Sequence, residues 1–362
     1  MSDALRIPAT RLRTFCERIF AAAGYGEVAA ERAADVLLWA SLRGVDTHGV
    51  RNLKPYYWDR INDGQINVAA KLVTEQDSPT AARCNGQGGM GIALAHDAMD
   101  LAICKAADQG VGIVNVRNLH HLGPVGYFAN LAVRHGMLGI CMTGHFFGKG
   151  HPIGVAPING RMAMFSTNPL SFAAPCDKRP TFLLDMSTSV CPVNRAEMYG
   201  QAQIPIPDGW AKDAQGRMTN DGSQGRIFYP LGGETATGGY KGVGLSMMVS
   251  ILSGVLSQGW DLDAANANSA ETSYHQATMG HFFAAIKIDS FMPFDRFTQA
   301  MDAFVDSIQN SLRIDPDQPV HYPGYPEHLA WHERIDLGIP IDRRLLDELQ
   351  ELAQTAHVTW TV

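Results

Sequence analysis

The alternation of helical and strand-like segments in the middle of the chain is the feature that most constrains its fold. Residues 92–109 show the apolar spacing of a helix that ends at Gly110, and residues 124–135 repeat this pattern. A short apolar run follows each helix, at residues 111–116 and at residues 137–143. Because short apolar runs of this kind are typical of buried strands, the alternation predicts a layered α/β core.

Both ends of the chain favour helices. A first helix is predicted from one apolar stripe, formed by Leu12, Phe15, Cys16, Ile19 and Phe20. A second helix is predicted from about Glu27 to Leu42, ending near Gly44. Residues 241–256 predict a long, mostly apolar helix deep in the core. The Pro-, Gly- and aromatic-rich residues 315–340 predict an extended segment that wraps the surface before a last helix at residues 344–355.

Composition narrows the class of protein. A chain of 362 residues suggests two domains or one elaborated domain, and a net charge of −7 argues against nucleic acid or an anionic membrane as a partner. No apolar run approaches the roughly 20 residues needed to span a bilayer, and no apolar segment follows the first arginines as in a signal peptide. The six cysteines include no C-x-x-C pair, which argues against a zinc site or a disulfide framework and favours a cytoplasmic location.

Residues 86–91 (Gly-Gln-Gly-Gly-Met-Gly) match the glycine pattern of a Rossmann dinucleotide site. That site needs a buried strand before the glycines and an acidic residue after the next strand. Residues 79–85 make a poor buried strand, and Arg117 and Asn118 follow the next one. We therefore expect a glycine-rich turn into a helix and no Rossmann site.

Four polar segments are candidates for chemistry. Residues 43–49 carry His48 beside a hydroxyl, and an imidazole with a pKa near 6.5 exchanges protons at neutral pH. Residues 118–124 place two histidines between a strand and a helix, whose first N–H groups favour an anion such as pyrophosphate. Asp185 ends the apolar strand 182–185, where a carboxylate could orient an imidazole. Lys241 lies among glycines at the start of a helix. Each segment alone fits a structural role equally well, as a cap, a loop histidine or a solvated lysine.

Taken together, these segments resemble the malate/L-lactate dehydrogenase family of the second type, which includes ureidoglycolate, sulfolactate and diketogulonate oxidoreductases and piperideine/pyrroline-2-carboxylate reductases. The resemblance covers nearly the whole chain. It is carried by the order and spacing of residues 43–49, 121–123, 137–140, 166–169, 184–189, 207–211, 241–245 and 323–324.

The resemblance implies an α/β fold that is not Rossmann. Residues 76–295 are expected to form a nicotinamide-cofactor domain with a mixed, largely antiparallel sheet. Residues 1–75 and 296–362 would form a helical domain for substrate binding and dimerisation. NAD or NADP would lie in the cleft between the domains of a homodimer, with a small acid as the substrate.

Site residues follow from the same resemblance. It implies His48 as the catalytic acid/base, Asp185 as its orienting carboxylate, and Thr47, where serine is usual, as a possible proton relay. The cofactor contacts would be His121, Leu122, Gly123, Pro124, Val125, Thr143, Asp185, Met186, Ser187, Lys241 and Gly242. The substrate contacts would be Arg51, Asn52, His145, Thr167 and Asn168.

Two positions depart from the family pattern. The family usually has an arginine four residues after the histidine, where it grips a carboxylate with two parallel hydrogen bonds; here this position is Asn52 and the arginine is Arg51. Tyr325 stands where the family commonly has glutamate. Either the loop shifts, or the carboxylate is held differently, or the substrate is unusual.

The function that follows is hydride transfer between NAD(P) and C2 of a 2-hydroxy or 2-oxo acid. A reductase of cyclic imino acids on the same scaffold is the alternative. A metal-dependent hydrolase or lyase that uses His120, His121, His145 and His151 is a remote one, because their spacing matches no metal site and we expect no bound metal. A further alternative is an inactive binding protein, given the departures at Asn52 and Tyr325.

Overall fold

A seven-stranded mixed sheet is the centre of the fold. The computed structural model describes residues 5–259 and 279–360, with the backbone alone for residues 147–150. In spatial order the strands of this sheet are β10 (Phe182–Met186), β9 (Leu170–Ala174), β5 (Met137–Gly144), β14 (Gly280–Lys287), β4 (Val111–Leu119), β3 (Ala81–Gly89) and β2 (Val73–Asp77). Only β3 and β4 pair in parallel; the other neighbours are antiparallel.

The remaining described strands form two smaller sheets. One has six strands in the order β12 (Met218–Thr219), β11 (Ala211–Lys212), β13 (Ile227–Phe228), β7 (Gly154–Val155), β8 (Ala163–Phe165) and β6 (Phe146–His151). The other joins the two ends of the chain, since β1 (Leu5–Ile7) pairs with β15 (Ile339–Ile341).

The described helices are α1 (Ala9–Ala22), α2 (Glu27–Leu42), α3 (Asp59–Asn62), α4 (Gly91–Gln109), α5 (Val125–Val133), α6 (Val193–Gln201), α7 (Gly239–Val249), α8 (Phe294–Gln309), α9 (Tyr325–Leu337) and α10 (Arg343–Thr355). The five apolar residues of the predicted stripe are all buried on α1. Gly110 ends α4 in the left-handed conformation, as expected.

The central sheet is covered on both faces. A Cβ atom on Gly139 of β5 would meet Ala129 O of α5, whereas one on Gly144 would meet Val249 O at the end of α7. Because side chains alternate along a strand, these two positions point to opposite faces. Helices α4 and α5 therefore cover one face, and α7 with the π-helical turn Ser250–Val255 covers the other.

The core extends across the ends and the middle of the chain. One cluster of buried apolar side chains joins α1, α2 and α10 to α4, α5 and the central sheet. The expected division into residues 1–75 with 296–362 and residues 76–295 stays a prediction.

Three segments differ from expectation. Strand β3 occupies residues where no good strand was expected, because alternate side chains from Ala82 onward are buried although polar ones lie between them. The tail contains helix α9, whose Pro326 is tolerated in the first turn, where backbone N–H groups have no helical partner. The helix predicted at residues 241–256 buries only one face and leaves Ile251 and Val255 half exposed.

Candidate active site

His48 lies in a tight turn just after α2, built on a close backbone approach. The turn Asp46–His48 is 3₁₀-helical. Gly49 has no room for a side chain, since its Cβ would lie 2.1 Å from Ser41 Oγ, and that hydroxyl accepts a hydrogen bond from Val50 N at 3.0 Å. The turn is therefore seated directly on the end of α2.

Helix α9 holds this turn from the other side. The guanidinium of Arg334 donates to both carboxylate oxygens of Asp46, at 2.6 and 3.0 Å, and to Ser41 O at 2.5 Å. The Arg334 side chain is 15% exposed and that of Asp46 is 40% exposed, so solvent reaches the pair from the side of the carboxylate. A segment almost 300 residues away in sequence thus fixes the position of His48.

The side chain of His48 faces a second histidine. Its ring is nearly parallel to that of His121, with the ring centroids 5.7 Å apart and the planes inclined by 23°. His48 Nδ1 lies 2.9 Å from Thr47 Oγ1, and His121 Nδ1 lies 3.1 Å from the hydroxyl of Tyr57. The expected pair of Thr47 and His48 is present, and Tyr57 is a contact that sequence analysis missed.

The hydrogen bonds of His121 define its tautomer. Gly123 N donates to His121 Nδ1 at 3.2 Å, so this nitrogen carries no proton in the neutral ring. Burial, followed by the charges of His48 and Arg60, lowers the pKa of His121 well below 6.5. The neutral ring therefore carries its proton on Nε2, which is a hydrogen-bond donor.

The glycine motif makes room for the loop that carries His121. A Cβ on Gly86 would lie 2.7 Å from Leu119 Cβ, and one on Gly91 would lie 2.1 Å from His120 O. These glycines let the loop after β4 pack onto the first turn of α4. The N-terminus of α4 is covered by the backbone of that loop, in the place where a Rossmann fold holds a pyrophosphate.

His48 and His121 are uncharged at neutral pH, although solvent reaches both side chains. Burial lowers the pKa of His48 to about 4, and His48 and His121 both keep an intermediate exposure. Much of the surface of residue Asp185 is exposed, yet the protein around its carboxyl group raises the pKa to about 6 by burial. We infer from this combination that His48 and His121 line a crevice into which water enters.

Asp185 does not contact His48. Its Oδ2 accepts a hydrogen bond from Gly126 N at 2.8 Å in the first turn of α5, and the charged groups that act on it are Arg43 and Glu327. The carboxylate thus occupies the helix start that was expected to attract a pyrophosphate. Its expected part in orienting His48 has no direct hydrogen bond in this structure.

Thr143 is linked to a histidine that sequence analysis did not single out. His281 is fully buried; its Nε2 lies 2.9 Å from Leu119 O and its Nδ1 lies 3.1 Å from Thr143 Oγ1. Because a carbonyl only accepts, Nε2 carries the proton, and Thr143 donates to Nδ1. The hydroxyl oxygen of Thr143 therefore has only lone pairs left to offer.

Two expected substrate contacts are committed elsewhere. The guanidinium of Arg51 pairs with Asp342, the N-cap of α10. Asn52 is 2% exposed, and its amide donates to Thr47 O at 3.0 Å. These described contacts include neither His48 nor His121, and the direct contact of Arg51 and Asn52 with a substrate stays a prediction.

Asn168 is held by hydrogen bonds within the protein. It is fully buried, its Oδ1 accepts from His145 N at 3.0 Å, and its Nδ2 donates to Ser246 O and Ser250 Oγ. Both N–H groups of its amide are used in these bonds, and its contact with a substrate stays a prediction. Thr167 is half-buried, and its backbone O accepts from Thr188. His145 is buried, and burial lowers its pKa to about 4.

The other predicted cofactor contacts lie around α5, β10 and α7. Leu122 and Val125 are buried, Gly123 is left-handed, and Pro124 is the N-cap of α5. The half-buried Met186 and Ser187 end β10, and Ser187 Oγ donates to Ser189 O. Lys241 Nζ lies over the Tyr240 ring, and a Cβ on Gly242 would strike Leu231 O. The described contacts of Lys241 include neither His48 nor His121.

The described residues hold no group of three or more His, Cys, Asp or Glu side chains placed to bind a metal ion. Among the same residues, no helix is long and apolar enough to cross a membrane.

Comparison with known proteins decides the family. The sequence model of the malate/L-lactate dehydrogenase family matches residues 7–350. The chain belongs to this family. The resemblance inferred from the sequence is therefore confirmed, and membership of the malate/L-lactate dehydrogenase family makes the protein an oxidoreductase.

Individual members of the malate/L-lactate dehydrogenase family agree along almost the whole length. The malate dehydrogenase of Pyrococcus abyssi is 39% identical over 359 residues, which are 98% of this chain and 96% of that protein. The malate/(S)-sulfolactate dehydrogenase of Methanothermus fervidus is 30% identical over 96% of this chain and 98% of its own length. The crystal structure of malate dehydrogenase from Entamoeba histolytica superposes with a TM-score of 0.91 at 28% identity, covering 99% of this chain and 100% of that chain.

Proposed function

We propose that the protein transfers a hydride reversibly between a nicotinamide cofactor, NAD or NADP, and C2 of a 2-hydroxy or 2-oxo acid. The observation that carries this proposal is the pair of uncharged histidines, His48 and His121, whose parallel rings lie 5.7 Å apart in a crevice. Relatives named for malate and sulfolactate support an acid as the substrate.

The two histidines fit complementary roles. His48 is unprotonated at neutral pH, so it takes the proton of the substrate hydroxyl during oxidation and returns it during reduction. His121 offers its Nε2–H, which polarises the same oxygen. Thr47 Oγ1, hydrogen-bonded to His48 Nδ1, holds the ring and can relay the proton.

The crevice also fits a nicotinamide group. The remaining lone pairs of Thr143 suit the carboxamide N–H₂ of a nicotinamide, and residues 121–125, 185–187, 241 and 242 are the further proposed contacts. When bound, the cofactor supplies or accepts the hydride at C4 of its ring. We propose that it binds without a Rossmann turn, because the start of α4 is filled by the loop carrying His120 and His121.

Asp185 takes a different part from the one expected. We propose that it fixes the start of α5, and with it the loop of His121, through its bond to Gly126 N. A side chain on Gly126 would lie 2.6 Å from Asp185 Oδ2, so the two residues are closely matched.

The experiment is to replace His48 and, separately, His121 with Ala. We expect turnover to fall about 10²- to 10⁴-fold for His48→Ala, the size of a general acid–base contribution, while NADH or NADPH still binds. The exposed His135→Ala is the control and keeps its turnover. Unchanged turnover in His48→Ala would refute the assignment.

The same assay separates the other functions. Malate, sulfolactate and lactate are offered with NAD and NADP, and pyruvate-like acids and cyclic imino acids are offered with the reduced cofactors. Turnover confined to the imino acids would show the imine reductase, and loss of activity on chelation would show a metal enzyme. Cofactor binding with no turnover on any compound would show an inactive binding protein.

We further propose a homodimer in the cytoplasm. Helix α7 and the following turn carry an apolar face of half-exposed side chains, formed by Tyr240, Met247, Met248, Ile251, Val255 and Leu256. All six cysteines are free thiols, as in a reducing compartment.

Analytical ultracentrifugation tests the dimer. We expect twice the chain mass of 39.3 kDa for the wild type and a shift toward one chain mass for Ile251→Glu. Ile314→Glu, a fully exposed isoleucine outside the apolar face, is the control. A wild type that sediments as a single chain would contradict the proposal.

A further inference from the structure

An acid substrate needs a cation near the histidine pair, and the expected candidates do not provide it. Arg51 is paired with Asp342, and the amide of Asn52 is used by Thr47 O. A carboxylate that leaves water without a cation or several donors is strongly destabilised. Another residue must therefore meet the substrate.

Arg60 lies at the end of a series of rings that leads to the histidine pair. Its Cζ is 5.0 Å from the centre of the Tyr56 ring, which is itself 5.0 Å from the His121 ring. These two steps place the guanidinium no more than 10 Å from His121. The charge of Arg60 also contributes to lowering the pKa of His121, as expected for a nearby cation.

The Tyr56 ring, over which Arg60 lies, is held in place by two hydrogen bonds, one of its own and one of the next residue. Tyr56 donates a hydrogen bond to Asn194 Oδ1 of α6 at 3.0 Å, and the next residue, Tyr57, is bound to His121. A guanidinium that rests on an aromatic face directs its N–H groups in the plane of the guanidinium, the direction in which it meets a carboxylate.

A molecule of the substrate class fits within this upper limit of 10 Å between Arg60 Cζ and the His121 ring. A 2-hydroxy acid that accepts from a guanidinium at its carboxylate and reaches an imidazole with its hydroxyl spans about 9 Å from Cζ to the imidazole nitrogen. We propose that Arg60, supported by Tyr56, binds the carboxylate of the 2-hydroxy or 2-oxo acid. The proposal rests on the proposed function and names the residue that replaces the family's arginine at position 52.

Arg43 is less suited than Arg60 to bind the carboxylate of the substrate. Arg43 donates to Gly324 O, lies over the Trp39 ring at 4.8 Å, and is acted on by the opposite charges of Glu327 and Asp185. Two carboxylates around one guanidinium offset its charge and would repel a third carboxylate.

The test is Arg60→Gln and Arg60→Lys in the full-length protein, measured with whichever acid the wild type turns over. For Arg60→Gln we expect KM for the acid to rise about 30- to 100-fold, with kcat within tenfold and the Kd of NADH or NADPH unchanged. Arg60→Lys keeps the charge but loses the two parallel hydrogen bonds, so its KM should be intermediate. Binding of oxamate in the presence of reduced cofactor should weaken in the same order.

Arg195→Gln is the matched control, because Arg195 also lies over a ring, that of Trp210 at 5.7 Å, and is not part of the proposed site. Its KM should stay within twofold of the wild type. An unchanged KM in Arg60→Gln, or an equal loss of cofactor affinity, would overturn the inference while leaving the proposed function intact. A wild type that turns over no acid overturns both. Circular dichroism checks that each variant folds, and Arg60→Lys decides the matter if Arg60→Gln does not.

Discussion

At the scale of one residue, Asn52 supports the turn that carries His48, at a position where the family usually has an arginine. Its amide donates to the carbonyl of Thr47, one residue before His48, and only 2% of its surface is exposed. An arginine at this position could not stay in the same space without burying its charge. In this structure Asn52 supports the turn, and under the proposal above Arg60 binds the acid in place of an arginine at this position.

Asn52→Asp tests this support with an almost identical shape. The change replaces a donor facing Thr47 O with a charged oxygen, so we expect a loss of about 2 kcal/mol in the free energy of unfolding and at least a tenfold fall in turnover. Urea unfolding and steady-state kinetics measure the two effects.

Asn62→Asp is the control for Asn52. Its amide also donates to a carbonyl, Trp58 O at 2.8 Å, but the residue is exposed. We expect it to change stability by less than about 0.5 kcal/mol. Equal effects in the two variants would argue that Asn52 has no special role.

At the scale of elements, α9 matters most for the site although it lies far from it in sequence. Arg334 joins α9 to both the end of α2 and the turn of His48. The glycines before α4 serve the partner histidine in the same way, because they let the loop of His121 approach closely. Helix α9 thus positions His48, and the glycines before α4 position His121, although neither segment supplies a proposed catalytic side chain.

Replacing Arg334 with Gln should loosen the turn of His48. Asp46 is 40% exposed, so we expect only about 1 kcal/mol in stability, but about a tenfold fall in kcat through misplacement of the imidazole. Cofactor affinity should not change. Arg343→Gln, which removes an exposed pair with Asp347, is the control. A kcat in Arg334→Gln equal to that of the control would contradict this role.

At the scale of the whole molecule, the buried histidines set how stability depends on pH. Burial lowers the pKa of His48, His96, His145 and His281 to about 4. In the unfolded chain these groups take up protons near pH 6.5. Between these pH values the unfolded state binds more protons, so stability falls as the pH falls from 6.5 toward 4. Asp185, with a pKa raised to about 6, has the opposite sign, as do Glu17, Asp100, Glu197 and Glu348, whose pKa burial also raises. Glu75, whose pKa the hydrogen bond from Arg117 lowers to about 2, adds to the decrease on the acid side.

Urea unfolding between pH 7 and pH 4.5 tests this dependence. We expect the free energy of unfolding to decrease on acidification, with the fully enclosed His281 contributing on the order of 3 kcal/mol over the whole window. His281→Asn should be less stable at pH 7 and should show a shallower decrease. A free energy that is constant or rises as the pH falls would contradict the account.

Most helices and strands, and the family, could be predicted from local sequence. The helix predicted at residues 27–42 has the bounds Glu27–Leu42, and the strand predicted at residues 137–143 is Met137–Gly144. Apolar periodicity and glycine stops are local signals that can be read from neighbouring residues. The family motifs were recognised for a similar reason, since each is short and their order is preserved.

The contacts between side chains from distant segments could not be predicted in this way. His48 faces His121 and not Asp185, Asp46 pairs with Arg334 across 288 positions, and Arg60 approaches His121 through the ring of Tyr56. None of these contacts leaves a periodic signal, because each depends on how separate elements pack. The chemistry of the site is therefore set by long-range packing, while the elements that carry it are set by local sequence.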